Sequence, residues 1–405
     1  MPKSKLLNVK DAINIIIKDL SVINSEDVEL TNSLGRVNSK PILSKLNNPP
    51  QNVSSMDGYA LNSKKKFDNY KVIGESSAGK PYKNKILDGE TIQIFTGAHL
   101  PPGTNSVVIL ENTKTEEKNL VSLLDENVCE FQNVRKKGLD FKVGDLILEK
   151  NKVINSRDIS TIAMSGNFWL NVKVKPKIGI LSTGNEIEKV GELTNKNKIP
   201  SGNNIMLSSM IKIFGGEPRF LPIADDNKKS IIKQIEENED CDLIVSSGGA
   251  SIGKYDFLSK LFDKKNMNTR VNFWKIAMRP GKPLIFGRYK KTPILGLPGN
   301  PVSAGVCSLI FLQPAIKKML GIKYFFPQMY KGFITCPIDK NDQRMDFIRS
   351  SLSVNKNNHV TPFIKQDSSM TNLFSKADCL VVREPFDKEK KVGDSIYFIK
   401  FPDFF

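Results

Sequence analysis

Hydrophobic positions along the chain change rhythm several times, and each change marks a boundary. Within the first twenty residues, Ala12, Ile13, Ile16, Ile17 and Leu20 fall on one side of a helical repeat, while Lys10, Asp11 and Lys18 fall elsewhere. That is the pattern of an amphipathic helix. Asn47-Asn48-Pro49-Pro50 then breaks the chain. From there to about Asp140 the apolar residues come in short runs between turns: YALN, YKVIGE, ETIQIF, SVVIL and LVSLL. Such runs predict a small β domain. A further strand-like piece, DLILE, precedes a helix opened by Ser156, with Asp158 near its start and Ile159, Ile162 and Ala163 leading to Gly166. We expect this segment to pack with the N-terminal one, which makes the β domain an insertion.

From Lys175 strands and helices alternate. KIGIL, RFLPIA, DLIVSS, PLIFG and PILGL read as strands; residues 203–214, 227–239, the segment after Tyr255, and 302–320 read as helices. Alternation of this kind predicts a mostly parallel sheet covered by helices on both faces. Beyond Gly321, KGFITCPI, DFIRSSLSV, HVTPFI, CLVVRE and SIYFIKF predict a C-terminal β domain or small barrel. The expected parts are therefore 1–48 with 141–174, 49–140, 175–322 and 323–405.

In parallel α/β sheets, ligands bind beyond the carboxyl ends of the strands. There the sequence places Ser182-Thr183-Gly184-Asn185-Glu186, Asp225-Asp226, Ser246–Gly253 and Pro298-Gly299-Asn300-Pro301. The Ser246–Gly253 loop, which includes Ser247, Gly248, Gly249 and Ser251, offers hydroxyl and bare main-chain donors to an anion. It is neither a GxxxxGK[ST] loop nor a GxGxxG turn, and a plain strand-to-helix connection is its bland alternative. Arg279-Pro280-Gly281-Lys282-Pro283 and Leu297-Pro298-Gly299-Asn300-Pro301 are rigid Pro-Gly turns. Lys275, Arg279 and Lys282 crowd the first, and Ser303 is placed to cap the helix after the second, equipment suited to an oxyanion. Glu186, Asp225, Asp226 and Asp256 supply hard oxygen ligands suited to Mg²⁺. Asp225 and Asp226 have a simpler alternative as helix caps.

Composition narrows the options. A 405-residue chain with 39% hydrophobic and 25% charged residues is a soluble globular protein of several domains. No uncharged apolar run is long enough to span a bilayer, and the N-terminal segment makes a poor secretory signal, so a cytoplasmic location is expected, without membrane association. The five cysteines form no CxxC pair, which argues against a zinc site or disulfide framework; Cys241 and Cys307 read as core residues. A net charge of +17 raises the question of nucleic acid, but the lysines are scattered among acids and form no tracking stripe. No nucleic-acid partner is expected. Neither a nucleophile elbow nor HExxH occurs, and His99 reads as a loop residue. On local chemistry alone, the turns around Asp57 and Thr96 stay undecided.

Seven segments in order carry a resemblance: SSMDGYA, IFTGAHLPPGTNSVVILE, RKKGLDFKVGD, ILSTGNEI, SSGGASIGKYDF, WKIAMRPGKPLIFG and GLPGNPVSA. Together they resemble the molybdopterin molybdenumtransferase family, of the MoeA and gephyrin E-domain type. The resemblance implies a four-part subunit: an α/β/α molybdopterin-binding domain, an inserted β domain, an elongated N-terminal scaffold and a C-terminal β-barrel-like domain. A homodimer with a cleft shared between chains is implied as well. So is Mg²⁺-dependent hydrolysis of adenylylated molybdopterin coupled to molybdate insertion at the dithiolene, with release of AMP.

Residue by residue, the resemblance implies that Asp57, Asp140, Glu186 and Asp256 are catalytic, with Glu186 and Asp256 holding the metal. Thr96 contributes from the inserted domain. Ser182, Thr183, Gly184, Ser247, Gly248, Gly249, Ser251, Lys275, Arg279 and Lys282 would hold substrate oxygens, and Pro298, Gly299, Asn300, Pro301 and Ser303 would shape the pocket floor. Arg279 stands where many members have lysine, Asn185 where many have an acid, and SGNN at 201–204 replaces a more usual Ser-Asn pair. The expected protein partners are the molybdopterin adenylyltransferase and recipient molybdoenzymes. Two alternatives fit the same fold: an adenylyltransferase, which needs only residues 175–322, and a dimeric scaffold that binds cofactor without turnover.

Overall fold

The computed structural model describes residues 6–125, 127–183, 187–188, 199–200, 202–225, 227–248, 268–323, 325–353 and 358–405. The chain divides into two compact units, Asp27–Val172 and a second formed by Met1–Glu26 with Lys173–Phe405.

In the second unit, a six-stranded sheet runs in the order Glu217–Phe220, Lys177–Ser182, Leu243–Ser247, Thr292–Leu297, Ile285–Tyr289, Thr269–Trp274. The first four strands are parallel and the last two pairings antiparallel. Val, Ile and Leu fill the central strands because both faces are covered, and Leu243–Ser247 and Thr292–Leu297 are buried at every position. The expected mostly parallel sheet is present. The expected helix after Tyr255 lies outside the described residues.

Helices occupy Gly202–Ile213 and Lys228–Glu236. Asn227 caps the latter, its side chain accepting from the Ser230 N–H at 2.8 Å. This corrects the capping role considered for Asp225: the helix begins one residue later, so Asn227 holds the N-cap position, and Asp226 lies outside the described residues. The helix expected at 302–320 starts at Pro301, passes through a π-helical turn at Ser308–Leu312, and continues as Gln313–Met319. Pro314 has no N–H to give to the preceding turn, and the wider turn accommodates that gap. Ser303 is therefore not a cap. It sits buried in the first turn behind Asn300 and Pro301.

Five strands of the C-terminal segment close into a barrel: Met345–Ser353, His359–Pro362, Met329–Ile334, Ser395–Lys400 and Cys379–Arg383, which pairs back onto Met345–Ser353. Closure leaves these strands without a free edge, and Ile334, Val360, Val381 and Phe398 fill the interior. Met278–Arg279 adds a short parallel pairing to Met345 and Asp346.

The Asp27–Val172 unit contains a second six-stranded sheet, in the order Ser106–Ile109, Gly58–Leu61, Glu90–Ile94, Tyr70–Ser76, Leu120–Leu123, Thr113–Glu116. Its two faces bury separate clusters, one around Ile92, Ile94 and Val107 and one around Tyr59, Tyr70 and Val121. The Ser156–Met164 helix is opened by a capping box in which Asn155 accepts from the Asp158 N–H and the Asp158 carboxylate accepts from the Asn155 N–H.

Candidate functional site

Three neighbouring parallel strands end level with one another, Ser182 opposite Ser247 and Ser247 opposite Leu297. Their following loops therefore emerge side by side. A cavity of about 930 Å³ opens where they do. Ser182, Thr183, Ser247, Gly248, Gly299 and Asn300 line its inner side, with Pro301 at the start of the helix beyond.

This floor is held by side-chain amides. Asn203 Nδ2 donates to Ser247 Oγ at 2.9 Å and to Gly299 O at 2.7 Å, tying the second and third loops together. Asn204, in the same helical turn, donates to Ser182 Oγ and fixes the first. Gly248 has φ +101°, a conformation that L side chains rarely adopt, and a Cβ there would lie 3.5 Å from Thr183 O. Glycine is thus required by backbone conformation more than by space.

The opposite side comes from the C-terminal segment. Asn300 Nδ2 donates to Ser368 Oγ at 2.7 Å, and Val302 N–H donates to Ser368 O at 3.1 Å, so the 366–370 loop is docked against the third loop. Arg349, almost fully buried, holds that loop from behind by donating to Asp367 O at 3.0 Å and Gln366 Oε1 at 3.3 Å. Ser369 then lines the cavity together with Phe374, Phe401 and Phe405.

Of the residues expected in the site, the structure brings Ser182, Thr183, Ser247, Gly248, Gly299, Asn300 and Pro301 to one cavity wall. Pro298 and Ser303 are buried just behind it. Gly184, Glu186, Gly249, Ser251 and Asp256 lie outside the described residues, as does Asp226. Lys275, Arg279 and Lys282 are not among the described residues lining this cavity. Lys275 has φ +73°, with its ammonium 5.2 Å from the Trp274 ring centroid. Arg279 donates from Nε to Asp346 Oδ1 at 3.0 Å and from Nη2 to Asp346 Oδ2, and Asp342 lies 3.6 Å from Nη1. Burial pushes the Asp346 carboxyl up, and the Arg279 guanidinium pulls it back.

In the other unit, Asp57 sits on an exposed turn before the Gly58–Leu61 strand. Thr96 donates to its Oδ1 twice, from the backbone N–H at 2.7 Å and from Oγ1 at 2.8 Å. The backbone bond first, and the hydroxyl second, hold the Asp57 carboxyl below its ordinary range. It is an anion at neutral pH, and among the described residues none bonds its Oδ2. Asp140, also exposed, accepts from Asn48 Nδ2 at 3.1 Å.

Sequence reasoning missed Asn203, Asn204, Ser369 and the three phenylalanines. The Asn pair carried a signal, two amides at the opening of a helix that faces the strand ends. The aromatic residues carried none, because a β-rich C-terminal segment gives no hint of which turn returns to the α/β domain.

Comparisons agree along the whole chain. Residues 7–166 match the MoeA N-terminal region (domain I and II), 179–318 the probable molybdopterin binding domain, and 331–401 the MoeA C-terminal region (domain IV). The molybdopterin molybdenumtransferase of Haemophilus influenzae is 31% identical over 92% of this chain and 93% of its own length. That of a Nostoc species is 30% identical over 79% and 76%. The crystal structure of the molybdopterin biosynthesis MoeA protein from Pyrococcus horikosii superposes with a TM-score of 0.84 at 26% identity, covering 98% of this chain and 100% of that one. With ordered loops, three domain matches and whole-length relatives in agreement, the chain belongs to the MoeA family of molybdopterin molybdenumtransferases, enzymes of molybdenum cofactor biosynthesis.

Proposed function

We propose that this enzyme takes adenylylated molybdopterin, hydrolyses its pyrophosphate link with Mg²⁺, and inserts molybdate at the pterin dithiolene, releasing AMP and molybdenum cofactor. The observation that carries this reading is the cavity at the level strand ends. Its floor offers hydroxyls of Ser182, Thr183 and Ser247 and the bare backbone of Gly248 and Gly299 to an anion. A volume of about 930 Å³ is of the size that holds a drug-sized or larger ligand.

On this reading Glu186 and Asp256 hold Mg²⁺, since a carboxylate donor set fits a hard cation, and the bound ion would neutralise charge on the phosphoryl oxygens. Asp57, kept ionised by Thr96, and Asp140 are the further catalytic carboxylates of this reading. Lys275 and Lys282 supply positive charge for molybdate or phosphate, backed by Arg279, whose fork is engaged with Asp346, with Ser251 and Gly249 completing the anion loop and Gly184 the first. Pro298, Gly299, Asn300, Pro301 and Ser303 keep the third loop rigid.

The four-part division with boundaries near 48, 140, 174 and 322 belongs to the same proposal, as do a cytoplasmic location, hand-over from a molybdopterin adenylyltransferase and delivery to molybdoenzymes. No helix of the described residues is long and apolar enough to cross a membrane. A homodimer is supported by the apolar surface of the Asp27–Val172 unit, where Leu34, Leu146, Phe168 and Trp169 are each more than half exposed.

The test is AMP release from adenylylated molybdopterin and Mg²⁺, with and without molybdate, alongside reconstitution of a cofactor-free molybdoenzyme. Molybdate-dependent release with reconstitution is expected. Tight binding with neither would overturn turnover in favour of a scaffold.

A further inference from the structure

The polar floor accounts for the anionic part of a ligand and leaves the other wall unexplained. That wall is aromatic. Phe401 and Phe405 lie with centroids 4.7 Å apart and planes 31° from parallel. Phe374 stands nearly perpendicular to both, at 83° to Phe401 and 87° to Phe405, with centroids 5.6 and 6.3 Å away. All three line the cavity and none is fully buried.

The corner is held in place from two sides. Gly305 lies in the buried helix behind it, and a Cβ at that position would stand 2.6 Å from Phe374 Cε1, so the ring is seated on bare backbone. Phe401 N–H donates to Asp378 O at 3.0 Å, anchoring the segment that carries Phe401 and Phe405. Rings fixed against backbone, yet left half-open to a large cavity, bury less apolar surface than they would if turned into the core. Such rings offer a planar partner stacking and edge contacts with little ordering cost.

We propose that the corner of Phe374, Phe401 and Phe405 stacks a planar heteroaromatic ring of the substrate and so sets the orientation of that substrate over the anion floor. The inference rests on the reading of this cavity as the site of an adenylylated pterin. That substrate has two such rings, the adenine and the pyrimidine ring of the pterin, and the chemistry of the wall suits either.

The experiment uses the full-length protein and the separate variants Phe401→Leu and Phe405→Leu, which keep apolar volume and remove the ring, with Phe405→Trp as the rescue. Making them separately leaves one to be read if the other melts early. Binding of AMP, ribose 5-phosphate and 6-hydroxymethylpterin is measured by calorimetry, and KM for adenylylated molybdopterin by AMP release. Loss of a stacking partner should weaken a ring ligand about tenfold.

A tenfold loss for AMP, with ribose 5-phosphate unchanged and tryptophan restoring affinity, supports the proposal and assigns the wall to adenine. A loss confined to the pterin supports it and assigns the wall to that ring. Equal loss for ringed and ringless ligands overturns it, because the tail then only shapes the cavity. Unchanged ring affinity and unchanged KM also overturn it, while AMP release leaves the transferase reading standing. A wild-type protein that binds neither ring and releases no AMP overturns both.

Discussion

Asp57, in the Asp27–Val172 unit, and Asp346, in the C-terminal barrel, are both tied by short hydrogen bonds, and their surroundings move them in opposite directions. Asp57 is exposed and receives both bonds from Thr96 on one oxygen. Its carboxyl is lowered, and among the described residues none bonds its second oxygen. Asp346 is buried, receives the Arg279 fork on both oxygens, and is nevertheless raised. Desolvation outweighs the partner there. An acid that is cheaply ionised and engaged through one oxygen is equipped to meet a ligand. One that is costly to ionise and fully engaged is equipped to hold two segments together. The contrast bears directly on Arg279: its guanidinium is occupied with the barrel, and the fork geometry explains why arginine suits this position better than lysine.

The strongest way to break the comparison is Asp57→Asn. The amide oxygen can still accept from Thr96, so the melting temperature should stay within a degree or two, while molybdate-dependent AMP release should fall about 100-fold or more. Activity within threefold of wild type would make Asp57 a turn residue only.

Next in size is Arg279→Ala, which leaves the Asp346 carboxylate buried without its partner. We expect a loss of roughly 2 kcal/mol at neutral pH by denaturant unfolding, a figure reduced because half of Arg279 is exposed. The sign with pH follows from the raised carboxyl. A group whose folded pKa is raised favours the folded state below its unfolded value and loses that contribution as pH rises through the folded value. The defect of Arg279→Ala should therefore shrink on acidification, as Asp346 takes up a proton. A defect that grows with acid would contradict the assignment. Arg279→Lys should recover part of the loss.

Asn203→Ala sharpens the account of the cavity floor. Two hydrogen bonds that tie the Ser247 and Gly299 loops disappear, and KM should rise about five- to tenfold with kcat less affected. An equal fall in kcat and kcat/KM would place Asn203 at the reacting atoms instead.

The smallest effect is expected from Asp342→Asn. Arg344, bonding through its side chain, holds the Asp342 carboxyl at about 2. Its stabilisation is present above the ordinary aspartate value and is lost as pH falls toward 2. Asp342 is exposed and Arg344 partly so, so the difference should be about 0.5 kcal/mol or less at neutral pH and should vanish near pH 2 in acid melts.

Elements that rest on local periodicity were legible in the chain. The alternating α/β segment apart from the strand Thr269–Trp274, the short strands of the second sheet apart from Thr113–Glu116, and the five strands of the barrel follow from spacing that repeats within a few residues. So did the line of loops at the strand ends, because parallel connections oblige Ser182, Ser247 and Leu297 to finish on the same side. Helix starts were read one to a few residues out, at Asn227 and Asn300, where several capping residues stand together and only the backbone path selects among them.

What tertiary structure decided was which distant pieces share a wall. Nothing in MDFIRSS says that Asp346 will claim Arg279, or that Arg349 will hold the 366–370 loop against Asn300. Likewise Gly305 and Phe374 are unremarkable in sequence until the barrel turns back and one ring settles on the other's bare backbone. Sequence determines the short-range periodicities because each element is closed by its own hydrogen bonds. The aromatic wall and the occupied arginine depend on loop closure over tens of residues, where packing and desolvation, summed over the whole core, choose the partners.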